Sequence, residues 1–376
     1  MEDQLRQWVE PKDQRHLQGF TEMLAAILQS GQACLGKWIP YLDHRGCSAR
    51  AHLERVSYFL RNEQITAERV YRPLLRHVLP AFAGEAVLLT LDTSLLWNHW
   101  CLIEVCLAWG GRSLTLTQQV IEHRSATIRF EQYHGVLECA RRALPPGSQV
   151  TLLADRGFEH GDLIRWLNRN HWNWSIRVKS DLLVTLAQGR TQPVEALCPP
   201  PNQAYLFPNV QVLEDIKAHL ATANVPDAQD TWAVLSNQPP SLQTFALYGQ
   251  RFGGIEPHFK DYKSAAFDLL ETGLREAEML TRLVMLLDAA SLIALILGLM
   301  LVHAKQRARI DWHGERGLSF LQLGLRELAR LCYQRLPLPK LRALTKGHPS
   351  PACASRCKRE ALDCRVEFSK VVVFSS

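Results

Sequence analysis

Residues 86–92 read AVLLTLD and residues 148–155 read SQVTLLAD. Each is a short apolar run that stops at an aspartate, the length and texture of a buried strand rather than a helix. Between them, WCLIEVCLAW (100–109) and RSLTLTQQV (112–120) flank Gly110-Gly111, which reads as a hairpin turn. IRFEQYHGVLECARRA (128–143) has helical spacing and stops before Pro145-Pro146. HGDLIRWLNRN (160–170) is a second helix, and WNWSIRVKS (172–180) a fifth strand. Three strands, a helix, a strand, a helix and a strand predict an α/β domain built on a mixed sheet.

Outward from this core the texture changes. Residues 1–80 are expected to be helical: FTEMLAAILQS (20–30), CLGKWIPYL (34–42) and SARAHLERVSYFLRN (48–62) carry apolar residues at helical spacing. From Lys37 to Arg76 there are eight Lys/Arg against four Asp/Glu, with Arg45, Arg50, Arg55 and Arg61 spaced so that several can face one way. Such a segment is either a DNA reader of helix-turn-helix type or the solvated face of a helical bundle. Residues 180–240 hold Pro199-Pro200-Pro201, Pro239-Pro240 and strand-like runs such as AYLFPNVQVL and TWAVLSN, an inserted and mostly β segment. Helical periodicity resumes near Gly254 and continues through Gly298. The tail from Leu336 is basic and proline-punctuated, a loose end or a docking arm, and its final VVVF is a candidate edge strand.

The 376 residues contain 47% hydrophobic and 21% charged residues, which excludes a disordered chain, a collagen and a coiled-coil rod. Forty-three Lys+Arg against 37 Asp+Glu give a net charge of +6, mild but favouring an anionic partner. Ten cysteines without a secretory signal are expected to be reduced thiols. Cys353, Cys357 and Cys364 form C-x3-C-x6-C, a poor match to zinc spacings. Ala289–Val302 is uncharged over 14 residues, shorter than a membrane span, and is expected to be a buried core helix.

The two strand-ending acids, Asp92 and Asp155, are where α/β sheets place ligands. Each could instead cap the next turn. Converging carboxylates suit Mg²⁺, a hard ion that wants oxygen ligands. Glu256 is the candidate third acid, within YGQRFGGIEPHFKDYKS (248–264). There Tyr248, Arg251, Glu256 and Lys263 form Y-x2-R-x4-E-x6-K. An acid, a guanidinium and an ammonium suit a gripped phosphodiester; a surface helix laced with charge pairs is the bland alternative.

Together these motifs resemble a DDE transposase of bacterial insertion sequences, in the insertion sequence 4 group. The resemblance rests on LLTLDTS, LLADRGFEHGDLIRWL, WSIRVKS and YGQRFGGIEPHFKDYKS, in that order, and runs from about Glu85 to Ser180 and from Tyr248 to about Gly273. It implies an RNase H-like mixed sheet flanked by helices, with a β-rich insertion (about 180–245) before the third acid. The implied organisation is an N-terminal helical, DNA-binding region at 1–80, a catalytic domain at 81–300, and a C-terminal helical region and basic tail at 301–376.

It further implies a metal-binding catalytic triad of Asp92, Asp155 and Glu256, and contacts to transposon-end DNA by Tyr248, Arg251 and Lys263. Two Mg²⁺ ions, with Mn²⁺ as substitute, would serve cleavage at the element's ends and joining of the freed 3′-OH to target DNA. The implied partners are double-stranded DNA, as terminal inverted repeats and target, and a second copy of the chain in a synaptic homodimer, with no membrane. The expected location is the cytoplasm, on the nucleoid. The usual gap between the Arg and the Glu is three residues, and here it is four. Either Arg251 is displaced by one helical step or a Gly-Gly turn absorbs the extra residue. Trp232 is the insertion's candidate for holding a flipped base. Two other readings stay open: a catalytically silent DNA-binding remnant, and an RNase H-like endonuclease that cuts without joining.

Overall fold

The computed structural model describes residues 1–9, 13–43, 45–225, 230–347, 352 and 367–374. Five helices come first: α1 (Glu2–Arg6), α2 (Gln14–Ser30), α3 (Ala49–Arg61), α4 (Ala67–Val70) and α5 (Arg72–Val78). Asp13 caps α2 by accepting from the Arg15 amide, and Gly31 ends it in the left-handed conformation at φ 65. Ser48 caps α3 by accepting from the Ala51 amide.

The sheet follows. Its first five strands are β1 (Ala86–Leu96), β2 (Trp100–Trp109), β3 (Arg112–Glu122), β4 (Gln149–Ala154) and β5 (Asn173–Arg177), with α6 (Phe130–Ala143) and α7 (Gly161–Arg169) as crossovers. Gly110 (φ 62) and Gly111 (φ 71) form the β2–β3 turn, whose left-handed pair matches the twist of the strands. β1 pairs antiparallel with β2 and parallel with β4, and β4 pairs parallel with β5.

The inserted segment supplies β6 (Leu183–Thr185), β7 (Thr191–Pro193), β8 (Gln203–Val212), β9 (Ile216–Asn224) and β10 (Trp232–Ser236). These strands extend the same sheet, because β10 pairs antiparallel with β5. The order is β3-β2-β1-β4-β5-β10-β9-β8-β6-β7, and β11 (Lys370–Val373), the terminal VVV run, joins parallel to β8.

Two long helices complete the molecule, α8 (Leu242–Lys260) and α9 (Ala277–His303), with α10 (Phe320–Tyr333) packed on the latter. Helical structure therefore resumes at Leu242, not near Gly254: Ser241 caps α8 in a reciprocal box with Thr244. The apolar run at 289–302 is also only part of its helix. α9 has 27 residues and is long and apolar enough to cross a membrane, but 89% of its apolar window is buried inside the protein.

Its charged residues Arg282 and Asp288, which interrupt the pattern in sequence, find partners inside the protein. Arg282 donates to the carbonyls of Leu60 and Ile65, and Tyr262 donates to Asp288. One continuous apolar core runs from Leu5 and Phe20 through the sheet and α9 to Leu344. The first part of the basic tail is docked: Leu341 and Leu344 are buried, and the Leu344 amide donates to the Val78 carbonyl at 2.8 Å. Cys353, Cys357 and Cys364 lie outside the described residues. The seven cysteines described are all free thiols.

Candidate active site

The register of the central parallel pair decides the site. Leu91 lies opposite Ala154 across β1 and β4, so the next residues, Asp92 and Asp155, emerge side by side. Asp155 stands just past the end of β4. Asp92 does not stand past a strand end: β1 continues four residues beyond it, to Leu96, because β2 folds back and pairs with it from Leu89 to Leu96. What ends at Asp92 is the parallel pairing with β4.

Each aspartate is held by a local amide. Asp92 Oδ1 accepts from the Thr93 N–H at 2.8 Å, and Asp155 Oδ1 accepts from the Gly157 N–H at 2.8 Å. Asp155 thereby caps the short 3-10 turn Arg156–Phe158. A Cβ on Gly157 would sit 3.0 Å from that same oxygen, so a side chain there would crowd the cap. Burial pushes the Asp92 carboxyl up to about 6; Arg251 pulls against this and Asp155 adds to it.

Arg251 comes from α8, which lies across the sheet. Its Nη2 is 2.6 Å from Asp92 Oδ2 and 3.9 Å from Asp155 Oδ2. The guanidinium is buried, and although burial alone would lower its pKa, Asp92 and its neighbours hold it above the ordinary value. Tyr248, one turn earlier, is fully buried and packs edge-on against Trp232, ring centres 5.9 Å apart. Burial pushes the Tyr248 phenol up to about 12. Trp232 is thus engaged with Tyr248. An open cleft borders the aspartates, with Thr93, Thr127, Arg156 and Lys179 on its wall.

The structure brings Asp92, Asp155, Arg251 and Tyr248 together, but it does not gather Glu256 with them. α8 is continuous through Phe252-Gly253-Gly254, so no Gly-Gly turn absorbs the extra residue. One extra residue on a 3.6-residue helix turns the next side chain by about 100°. Ile255, four residues after Arg251, is the one buried, while Glu256 is exposed. Asp92, Asp155 and Glu256 do not offer carboxylate oxygens within 4.8 Å of one another among the described residues.

Lys263 is half-buried in a π turn, Asp261–Ala265, and burial lowers its pKa. The seven-residue step from Glu256 to Lys263 therefore does not run along one straight α-helix. As for metal, two adjacent carboxylates with a guanidinium seated against one of them form an oxygen-rich place that already attracts a cation. Asp92 and Asp155 fit a hard divalent ion, whereas Glu256 offers no oxygen within 4.8 Å of both and acts on Arg251 by its charge.

Against this geometry, the family model described as "Transposase DDE domain" matches residues 99–294, just over half of the chain. The chain belongs to the DDE transposase family. The matched span includes Asp155, Tyr248, Arg251, Glu256 and Lys263, and begins seven residues after Asp92. Among solved structures, a piggyBac transposase synaptic complex with hairpin DNA is similar at 12% identity and a TM-score of 0.47, over 95% of this chain and 77% of that chain. No curated protein matches the sequence.

In this transposase, sequence reasoning missed a second polar cluster under α8. Glu104 lies opposite Asp92 across β1 and β2, is fully buried, and has His258 Nε2 3.2 Å from its Oε2. The signal was present: Glu104 is the one acid in WCLIEVCLAW, and an acid inside an otherwise buried strand requires a partner. The four N-terminal arginines are also less free than their spacing suggested. Arg45 and Arg55 pair with Glu22, Arg50 with Glu54, and Arg61 with Glu276.

Proposed function

We propose that this chain is a DNA transposase of the insertion sequence 4 type, which cuts DNA at the ends of its element and joins the 3′-OH ends to target DNA. The observation that carries the reading is Asp92 and Asp155, side by side on adjacent parallel strands and bridged by Arg251 from α8. The sheet order β3-β2-β1-β4-β5, antiparallel then parallel, supports an RNase H-like core. The strands inserted between β5 and α8 match the β-rich insertion that such a transposase carries before its third acid.

Asp92 and Asp155 would hold Mg²⁺ or Mn²⁺. A bound divalent ion would polarise the phosphodiester oxygens and lower the pKa of an attacking water or 3′-OH. The chain's own groups supply the rest. Lys179 and Arg156 on the cleft wall hold phosphates and orient the strand. Arg251 is neutralised by Asp92 at rest, and a phosphate entering the cleft gives it a second acceptor. Glu256 is the third acid of this reading on its place in the motif, and its exposed carboxylate leaves it open to the cleft's DNA or ion. Arg50 and Arg61, with side chains 89% and 61% exposed, can exchange their carboxylate partners for DNA phosphate, which would make the helices before the sheet a DNA-binding surface. Two chains would pair two ends.

One observation favours a second reading. An exposed Glu256 and a four-residue gap after Arg251 suit a chain that binds ends without cutting them. Incubation of the full chain with DNA flanking its own coding sequence, plus Mg²⁺ or Mn²⁺, separates the readings. Nicks at the element's ends followed by joined products support the transposase. Nicks without joining leave a nuclease, and retarded but intact DNA leaves the silent binder.

A further inference from the structure

We propose that Glu104, Cys106 and His258 form a buried site for a transition-metal dication of the Zn²⁺ class, separate from the catalytic aspartates, that pins α8 to the sheet. Glu104 and Cys106 are two apart on β2 and so share a face, and His258 descends on that face from α8. The ligating atoms of all three lie within 4.8 Å of one another. His258 Nε2 is 3.2 Å from Glu104 Oε2, and Thr115 Oγ1 is 3.3 Å from the same nitrogen and 3.8 Å from Cys106 Sγ. Around a tetrahedral ion with bonds of about 2.0–2.3 Å, neighbouring ligands lie roughly 3.3–3.8 Å apart. Glu104 and His258 are thus already at ligand spacing, and Cys106 Sγ lies within 4.8 Å of both.

Although burial alone would lower it, Glu104 holds the His258 imidazole above its ordinary pKa, and that ring meets only one of the two carboxylate oxygens. Glu104 is fully buried, and its Oε1 has no hydrogen-bond partner among the described residues. A dry carboxylate with a free oxygen is costly unless a charge or donor meets it. A carboxylate, a thiolate and a neutral imidazole carry two negative charges, which one dication cancels in a buried place. Binding releases the Cys106 thiol proton, and any proton on His258, to solvent.

The mixed sulfur, nitrogen and oxygen set selects a borderline ion such as Zn²⁺ and disfavours Mg²⁺, which wants oxygen alone. A cavity of about 20 Å³ borders His258, Thr115 and Asp288, though not Glu104 or Cys106, and has room for one water. His258 is seven residues after Arg251, two helical turns along the same face. An ion at His258 therefore fixes the rotation of the helix that presents Arg251 to the aspartates.

The test is metal analysis of the full chain. After dialysis, elemental analysis should find about one Zn²⁺ per chain. That ion should persist in the Asp92→Asn/Asp155→Asn double variant. Replacing it with Co²⁺ should give a thiolate-to-cobalt charge-transfer band in the near ultraviolet, lost in Cys106→Ser. His258→Ala should lose the bound ion. The proposal is overturned if folded wild-type protein holds no ion and takes up Co²⁺ without a charge-transfer band. It is overturned equally if uptake disappears with Asp92→Asn/Asp155→Asn, which would place the ion at the catalytic aspartates. If the Cys106 or His258 variants do not fold, the wild-type cobalt spectrum and the double-aspartate variant still decide it.

Discussion

Replacing Asp92 by asparagine should make the protein more stable at neutral pH, although it removes a proposed metal ligand. The Asp92 carboxyl titrates near 6 in the folded chain against an ordinary 3.8, chiefly because it is buried, and this already includes the favourable pull of Arg251. At 1.36 kcal/mol for each tenfold, holding Asp92 ionised costs the folded state about 3 kcal/mol above pH 6. The folded carboxyl keeps its proton up to about 6, whereas the unfolded one loses it near 3.8. The folded state binds more protons in that window, so this group's contribution falls as pH rises through it. An amide keeps the shape and an acceptor for Arg251, and carries no charge to desolvate.

Urea unfolding of wild type and Asp92→Asn should therefore show the variant more stable by about 3 kcal/mol at pH 7, with the gap closing as pH falls toward 4. Mg²⁺ should narrow the gap from the other side, because it binds the folded wild type and not the variant. A variant less stable than wild type at pH 7, or a gap that does not change between pH 7 and pH 4, would refute the reasoning.

Three further outcomes are expected. Glu256→Gln should lower end cleavage by about 100-fold or more while gel-shift affinity for end DNA is unchanged, since phosphate contacts are spread over many cations; unaltered cleavage would remove Glu256 from the site. Lys179→Ala should weaken DNA binding alike for all sequences and lower the slope of log affinity against log salt by about 1. Gly324→Ala should destabilise the chain by about 3 kcal/mol in thermal or urea unfolding, because a Cβ there would lie 1.7 Å from the Ala294 carbonyl oxygen where α10 crosses α9.

Much of the fold could be read along the chain because it rests on local patterns. The apolar runs at 86–92 and 149–154, the Gly110-Gly111 turn and the helices at 130–143 and 161–169 are each set by residues within a few positions of one another. The two aspartates were legible for the same reason: each closes such a run. That they lie side by side also follows once β1 and β4 pair parallel, because the runs before them are of matching length.

What the sequence could not show depends on contacts between distant residues. β1 runs past Asp92 because β2 supplies hydrogen-bond partners for four more residues. α8 begins twelve residues before the point where its periodicity shows, since Ser241 caps it and its glycines and aromatics blur the pattern. Whether Arg251 or Glu256 faces the aspartates is a matter of helix rotation. Rotation is fixed by what the helix buries, here Tyr248, Ile255 and His258 against the sheet. Glu104 and His258 are 154 positions apart, and no local signal could join them. The sequence by itself determined which residues can form strands and turns, and which acids close an apolar run. Tertiary packing alone decided which face of α8 meets those acids, because burying an apolar face outweighs the preference of any single charged side chain.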